Sequence, residues 1–414
     1  MAHNSLTLPR LLGLALVVFV AGCTSTPTEY REPPPLTATD RTAHNLLVFE
    51  RTWALVNNKY FDAKFRGVDW PAMRAKHRTE AVAATDETAL YEALNHLCAE
   101  LKESHLAAIP PRRAHEFITE HRPSIGFRWQ KLEGRRVVTY LVPDSPATAA
   151  GIQPGWIVLS RDGTPLQETS NYFSTLGRSV TYEFMDNQDA TRTLTMEPQL
   201  LNFDRLEFRE LAGGLVYLRF DVFNHKSLSW LSDQLKAHAS APGVVIDLRN
   251  NPGGNILALN VALAEFFPKQ VAAGRMITRN GHESESRSLA WLSAHYSGRV
   301  AILTDRATGS AAEIFSHVLQ HHKRAIVIGR PSAGAVIASR LYSLPGGGRL
   351  QVPVTDYIGL DGQRLEGRGV TPDLIRPDHT RDELRSGQDA DLTAAVEALQ
   401  HVAPDLGNLP APQR

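Results

Sequence analysis

Little in this chain is extreme, and several things are scarce. Basic and acidic residues balance at 44 each among 414 residues, so no overall field draws it to nucleic acid or to acidic partners. A nucleic-acid role would need a local basic patch, and none is present. Cysteine occurs only as Cys23 and Cys98, and a chain of this length has room for two or three domains with full cores. Long apolar runs are missing apart from residues 11–20, ten residues that are too short to span a bilayer as a mature helix. After Ser310 the only lysine is Lys323. No solenoid period recurs. Gly346, Gly347 and Gly348 lack the lysine and threonine of a phosphate-binding loop and read as a hairpin turn.

What is present begins with a targeting segment, residues 1–23, in which Arg10 supplies the positive charge ahead of the apolar run. Val20, Ala21, Gly22 and Cys23 then resemble a bacterial lipobox. The resemblance implies lipidation of Cys23 and a chain that faces the periplasm. Thr24 and Ser25, in place of aspartate, imply the outer membrane. Several acyl chains on one residue satisfy the rule that stable anchoring takes more than one. Cys98 is then left without a partner for an intrachain disulfide, and its apolar helical setting makes it a core residue. Residues 24–40 read as a Pro-rich tether.

Residues 41–121 form a helical N-terminal unit whose helical pattern runs to 109, before Pro110 and Pro111 stop it. From 122 to 200 the composition turns to strands and turns. Ile125, Gly126 and Phe127, then Ser145, Pro146, Ala147, Ala150 and Gly151, then Pro154 and Gly155 resemble a PDZ domain of bacterial proteases. Trp156 stands where such domains more often have aspartate. The resemblance implies that an extended peptide C-terminus pairs with a sheet edge while the backbone at Ile125, Gly126 and Phe127 holds its carboxylate.

From 201 to 380 strand and helix alternate: strands at 214–220, 243–248, 300–303 and 324–329, helices at 228–239, 256–267 and from 314. This is βαβ organisation around a largely parallel sheet, so loops at strand C-terminal ends carry the chemistry. Residues 381–414 hold a helix from Ala390 to Val402, packed on the outside, and a tail. The fold class is α/β, an α+β multi-domain chain.

The stretch 304–313 organises the rest. Ser310 sits between small residues where the strand ending at Leu303 gives way to a helix, so a nucleophile there can be approached closely and the following backbone N–H groups face developing negative charge. Ser310 and Glu313 also make a capping box. Asn251, Pro252, Gly253 and Gly254 form a second small-residue turn after the strand at 243–248. Asp247 either orients that turn or simply ends its strand. His317 and His321 lie one helical turn apart but have no third metal ligand, and with His322 they read as helix-surface residues.

Three blocks in order, residues 245–254, 309–313 and 365–373, resemble the S41 peptidases, the carboxyl-terminal processing proteases with their tricorn-like relatives. One branch uses a Ser-Lys dyad with the lysine in a Gly-Lys-Gly context; that register here is residues 332–336, which hold no lysine. Lys323 lies thirteen positions after Ser310 on the same helix, roughly 20 Å away at about 1.5 Å per residue, and cannot be the base. The tricorn-like branch pairs the serine with a histidine from the N-terminal unit and a glutamate near the C-terminus. By that resemblance Ser310 is the nucleophile, His105 the base, Ser104 its neighbour and Glu366 the carboxylate acting on the imidazole through Ser104. Backbone N–H groups of Gly253 or Gly254 and of Ala311 would form the oxyanion hole. No cofactor or metal is implied.

Two functions of different class follow. One is a lipid-anchored serine endopeptidase that binds polypeptide C-termini through its PDZ-like segment. The other is an inactive peptide-binding scaffold on the same core. A third reading, a hydrolase of small esters or peptidoglycan peptides, uses the same residues.

Overall fold

The computed structural model describes residues 30, 34, 36–119, 121–166, 174–202, 204–289 and 295–401. The targeting run, Cys23 and most of the tether lie outside the described residues. Among the described residues no helix is long and apolar enough to cross a membrane.

Helix α1 (Ala38–Lys59) begins inside the stretch read as tether, because the Thr37 hydroxyl caps it by accepting the Asp40 N–H at 3.2 Å. Helices α2 (Trp70–Ala83) and α3 (Glu87–Ala99) start on Asp69 and Asp86 in the same way. Their apolar faces meet around Phe49, Trp70, Leu90, Leu94 and Leu97, and Ile337, Leu350 and Val352 from far along the chain complete this core. Cys98 is buried in it, and burial pushes its thiol up to about 12, which leaves it unreactive.

Two helical expectations fail here. Residues 107–109 are a strand, β1 (Ala107–Ile109), paired antiparallel with Arg349–Ile358. Pro111 opens a helix, α4 (Pro111–Thr119), because in a first turn its missing N–H would have had no helical partner anyway.

Strand β2 (His121–Ser124) leads into a β domain. It contains β3 (Phe127–Leu132), β4 (Arg135–Leu141), the short α5 (Pro146–Ala149), β5 (Ile157–Arg161), β6 (Thr164–Pro165), β7 (Val180–Met185) and β8 (Thr191–Met196). The sheet order is β3-β4-β5-β7-β8, so β3 is an edge. Val138, Trp156, Val158, Tyr182 and Phe184 fill its core. Strand β9 (Gln199–Asn202) returns to pair with β2, so the domain leaves and re-enters the chain at one place.

The remainder runs β10 (Leu206–Glu210), β11 (Val216–Phe220), α6 (His225–Ala237), β12 (Gly243–Asp247), α7 (Ile256–Ala264), β13 (Ala272–Thr278), β14 (Glu283–Arg287), β15 (Arg299–Thr304), α8 (Ala311–His321), β16 (Ile326–Gly329), β17 (Ala338–Ser343), β18 (Arg349–Ile358), β19 (Leu374–Ile375), α9 (Arg381–Ser386) and α10 (Ala390–His401). One sheet has the order β10-β11-β12-β15-β16-β19, parallel from β11 onward. Its strands alternate strictly. Leu218, Phe220, Ile246 and Ile302 face α6, α7 and α8. Tyr217, Val245, Ala301 and Leu303 face α10 through Ala395 and Leu399. Burying such side chains stabilises by roughly 1.5–3 kcal/mol apiece.

A second, antiparallel sheet of β1, β18, β13 and β14, with β17 paired to β18, was not anticipated. Residues 345–347 turn the chain between β17 and β18, the hairpin expected at the glycines.

Candidate active site

The site lies at the C-terminal ends of β11, β12 and β15, where the loops of a parallel sheet converge. Buried Asn251 locks two of these loops together. Its side chain donates to the Phe220 carbonyl at 2.8 Å and accepts the Gly253 N–H at 2.8 Å. Its own carbonyl accepts the Gly309 N–H at 2.9 Å. Asp305 adds a second stitch by accepting the Asn250 N–H at 3.0 Å, and the Thr308 hydroxyl a third, donating to the Leu248 carbonyl at 2.9 Å.

Ser310 directly precedes α8 with φ 49° and ψ −119°. That left-handed φ costs a residue with a Cβ on the order of 1–3 kcal/mol. It is held by the Ser310 N–H, which donates both to the Ala335 carbonyl at 2.8 Å and to Glu313 Oε2 at 2.9 Å. Gly253 lies against it: a Cβ on this glycine would stand 2.6 Å from the Ala311 nitrogen and 2.6 Å from the Ser310 Cβ. Glycine is required there by contact as well as by its φ of 97°.

The oxyanion donors narrow. The Gly253 N–H is engaged by Asn251, so this glycine supplies clearance and no free donor. Among the described residues the N–H groups of Gly254 and Ala311 donate to no protein group. The Gly254 N–H turns away from Phe223, because the flanking bonds, Phe223 N–H to the Gly253 carbonyl and Asn255 N–H to the Phe223 carbonyl, take that side.

The expected base arm comes from the turn after α3. Nδ1 of His105 lies 2.7 Å from the Ser104 hydroxyl oxygen. The buried Glu366 side chain accepts the Ser104 backbone N–H at 3.0 Å on Oε1, and the N–H groups of Val336 at 2.6 Å and Ile337 at 3.1 Å on Oε2. The carboxylate therefore reaches Ser104, through which it was expected to act, by way of the backbone N–H of the turn. His105 is half-buried; burial lowers its pKa and the charge of Glu366 partly restores it. Among the described residues no hydrogen bond joins His105 to the Ser310 hydroxyl. The arms meet through residues 335–337, whose backbone binds Ser310 on one side and Glu366 on the other. Those residues include part of the lysine register of the dyad branch, and no lysine stands there.

Several contributors were invisible in the sequence. Glu103, buried, accepts from the Tyr60 hydroxyl at 2.7 Å and from Arg364 at 2.9 Å, fixing the turn that carries Ser104 and His105. Asp247 ends β12 and accepts the Arg249 N–H at 2.9 Å at the start of the turn. Burial alone would raise its pKa, but Arg249 and Arg219 hold it well below the usual carboxylate range. His317 departs from its surface reading. It is buried, accepts the Leu360 N–H at 3.0 Å, and burial lowers its pKa to about 4.

Of the residues expected to take a peptide carboxylate, Gly126 gives its N–H to the Ser124 hydroxyl at 3.1 Å and its carbonyl to the Val142 N–H at 2.8 Å. The Ile125 carbonyl accepts the Ala147 N–H at 2.8 Å, and Phe127 begins the edge strand β3. From the same strand Arg128 donates to the Asn250 carbonyl at 3.3 Å, so the β domain touches the loop that carries Gly253 and Gly254.

Residues 214–376 match peptidase family S41, and residues 43–99 match the tricorn protease C1 domain. A carboxyl-terminal-processing protease of Synechocystis is 24% identical over 370 residues, covering 84% of this chain and 85% of the relative. One of Picosynechococcus is 27% identical over 376 residues, covering 84% and 88%. Among solved structures, the photosystem II D1 C-terminal processing protease superposes with a TM-score of 0.59 at 21% identity, over 86% of this chain and 97% of that one. The tricorn protease superposes with a TM-score of 0.53 at 17% identity, over 86% of this chain and 36% of that one. With its mixed α/β fold and with these matches along most of its length, the chain is a serine peptidase, homologous to the carboxyl-terminal processing proteases and matching family S41 over residues 214–376.

Proposed function

We propose that the chain is a processing endopeptidase that cuts polypeptides by acyl transfer from Ser310, with His105 as base. The observation that carries this reading is the 335–337 segment, which ties the nucleophile to the carboxylate that holds the base. Ser310 Oγ attacks the scissile carbonyl carbon and its proton passes to His105 Nε2. Ser104 then accepts the Nδ1–H, which keeps Nε2 free to act, while Glu366 stabilises the imidazolium by its charge. Ala311 and Gly254 N–H groups receive the oxyanion. Collapse breaks the C–N bond as His105 returns the proton to the leaving amine. Water then repeats the sequence on the acyl-serine.

Substrate C-termini would add to β3, an edge strand among the described residues, their carboxylate at the turn of Ile125, Gly126 and Phe127, and Arg128 would convey occupancy to the Asn250 loop. Ile256 and Leu257, 38% and 64% exposed just beyond Gly254, offer an apolar surface to the substrate chain beside the scissile bond. Lipidation at Cys23 would hold the enzyme on the periplasmic side, at the outer membrane; palmitate incorporation lost in Cys23→Ala tests that part.

A fluorophosphonate probe tests the chemistry. Labelling of the wild type that disappears in Ser310→Ala and slows sharply in His105→Ala is expected. Labelling unchanged in Ser310→Ala would leave the peptide-binding scaffold, a reading that the lack of a His105–Ser310 hydrogen bond favours. A resting site that tightens only around substrate accounts for that same gap.

A further inference from the structure

The carboxylate of Glu313 is fully buried and, among the described residues, has no cationic partner. A helix cap needs one acceptor, for the Ser310 N–H. Glu313 instead takes four donors: the Ser310 N–H at 2.9 Å and the Ala335 N–H at 2.8 Å on Oε2, and the Gly334 N–H at 2.6 Å and the Ser332 hydroxyl at 2.6 Å on Oε1. Three of the four come from one loop. Burying an uncompensated anion is expensive, and nothing in the stability of α8 alone calls for it.

The loop explains it. Residues 334, 335, 336 and 337 present four consecutive N–H groups; the first two end on Glu313 and the second two on Glu366. Glu313 belongs to the helix that carries the nucleophile, and Glu366 holds the turn that carries His105. The same loop is pinned to the 365–370 segment: the Gly334 carbonyl accepts the Gly367 N–H at 2.7 Å, and the Ser332 hydroxyl oxygen accepts the Val370 N–H at 2.7 Å. Gly334 has φ 67°, and a Cβ there would meet the backbone of residues 367–369 at 3.0 Å. Two carboxylates thus grip opposite ends of one short backbone segment, whose length fixes the spacing between their own loads.

We infer that Glu313 is a positioning residue: by holding the 332–335 backbone against α8 it sets the distance and angle between Ser310 and the arm of His105 and Glu366. The inference rests on the serine-peptidase mechanism proposed above. Burial raises the Glu313 pKa above the ordinary glutamate value, and the hydrogen bonds from its four donors offset part of that rise.

Glu313→Ala and Glu313→Gln separate this role from simple support. The glutamine carbonyl can still accept from Ser310 and Ala335 while its amide donates to the Ser332 oxygen, so only the Gly334 contact and the charge are lost. The alanine loses all four. Full-length variants are compared for kcat and KM on one peptide substrate, for the rate of fluorophosphonate labelling, and for Tm. The expected result, per folded molecule, is a kcat lowered about a thousandfold in alanine and about tenfold in glutamine, with KM within threefold and labelling slowed in step with kcat. Should alanine not fold, the glutamine variant still decides. The inference is overturned if glutamine keeps wild-type kcat and labelling rate, or if kcat, KM and Tm all deteriorate together. If the wild type is not labelled, or Ser310→Ala is labelled equally, the serine mechanism itself has failed, a result distinct from any behaviour of residue 313.

Discussion

The two arms of the site are built in opposite ways. On the nucleophile side, Thr308, Ala311, Glu313 and Asn251 are all buried, and Asn251, Thr308, Gly309 and Glu313 are each tied to another loop. On the base side, Ser104 is exposed, His105 is half-buried, and the turn is reached through one backbone hydrogen bond to Glu366 and one buried anchor, Glu103. The difference separates what must not move from what can be adjusted. A strained serine persists only where its surroundings over-determine it. A base needs only to arrive within hydrogen-bond reach when substrate is present.

Deleting the nucleophile should give the largest effect. Ser310→Ala is expected to lower kcat by roughly four orders of magnitude or more with little change in Tm, measured by steady-state hydrolysis and thermal melting. Next comes Gly253→Ala. Its new Cβ would lie 2.6 Å from the Ala311 nitrogen, so kcat should fall about a hundredfold and stability by roughly 1–3 kcal/mol. If that variant is as active and stable as wild type, the rigid side of the comparison is mistaken.

Glu103→Gln probes the softer arm. It keeps the shape but removes the charge facing Arg364, and kcat is expected to drop about tenfold while fluorophosphonate labelling remains detectable. A loss as deep as that of Ser310→Ala would erase the distinction between the arms. The pH profile sharpens it further. Burial lowers the His105 pKa, so neutral imidazole persists to lower pH. The acid limb of kcat/KM should then lie below the ordinary histidine value of about 6.5. Because the Glu366 charge raises that pKa, Glu366→Gln should move the limb lower still. A limb that moves up would place His105 outside the mechanism. The smallest effect is assigned to Arg128→Ala, which removes the contact with the Asn250 carbonyl; KM for a peptide with a free C-terminus is expected to rise a few-fold, with little change for an amidated one.

Much of the nucleophile arm was legible because its signals are local. A buried strand, small residues, a serine and a helical period follow one another within residues 300–319. The near-continuous apolar runs of β11, β12 and β15 likewise declare buried strands within a few residues. The base arm was legible only by resemblance, since the Ser104–Glu366 contact spans 262 positions and no local rule reaches that far. Three features escaped for stated reasons. The sheet of β13, β14, β17 and β18 is half-exposed, and its charged outer residues blur the alternation. Pro111 obeys a rule that allows either an end or a start. The loss of Gly253 as a donor depends on where a single asparagine side chain turns.

The final helix carries an obligation. Arg249, beside the Asn251 clamp, and Arg330, just after β16, both direct guanidinium groups at Asp391, with Asp389 sharing Arg249. Burial would raise the Asp391 carboxyl, but His379, Arg249 and Arg330 bring it down to about 2. Without those two aspartates Arg330 loses its carboxylate partner, Arg249 is left with Asp247 alone, and one face of the sheet lacks its lid. The sheet that presents Ser310 is therefore covered and neutralised on this face only once α10 has docked.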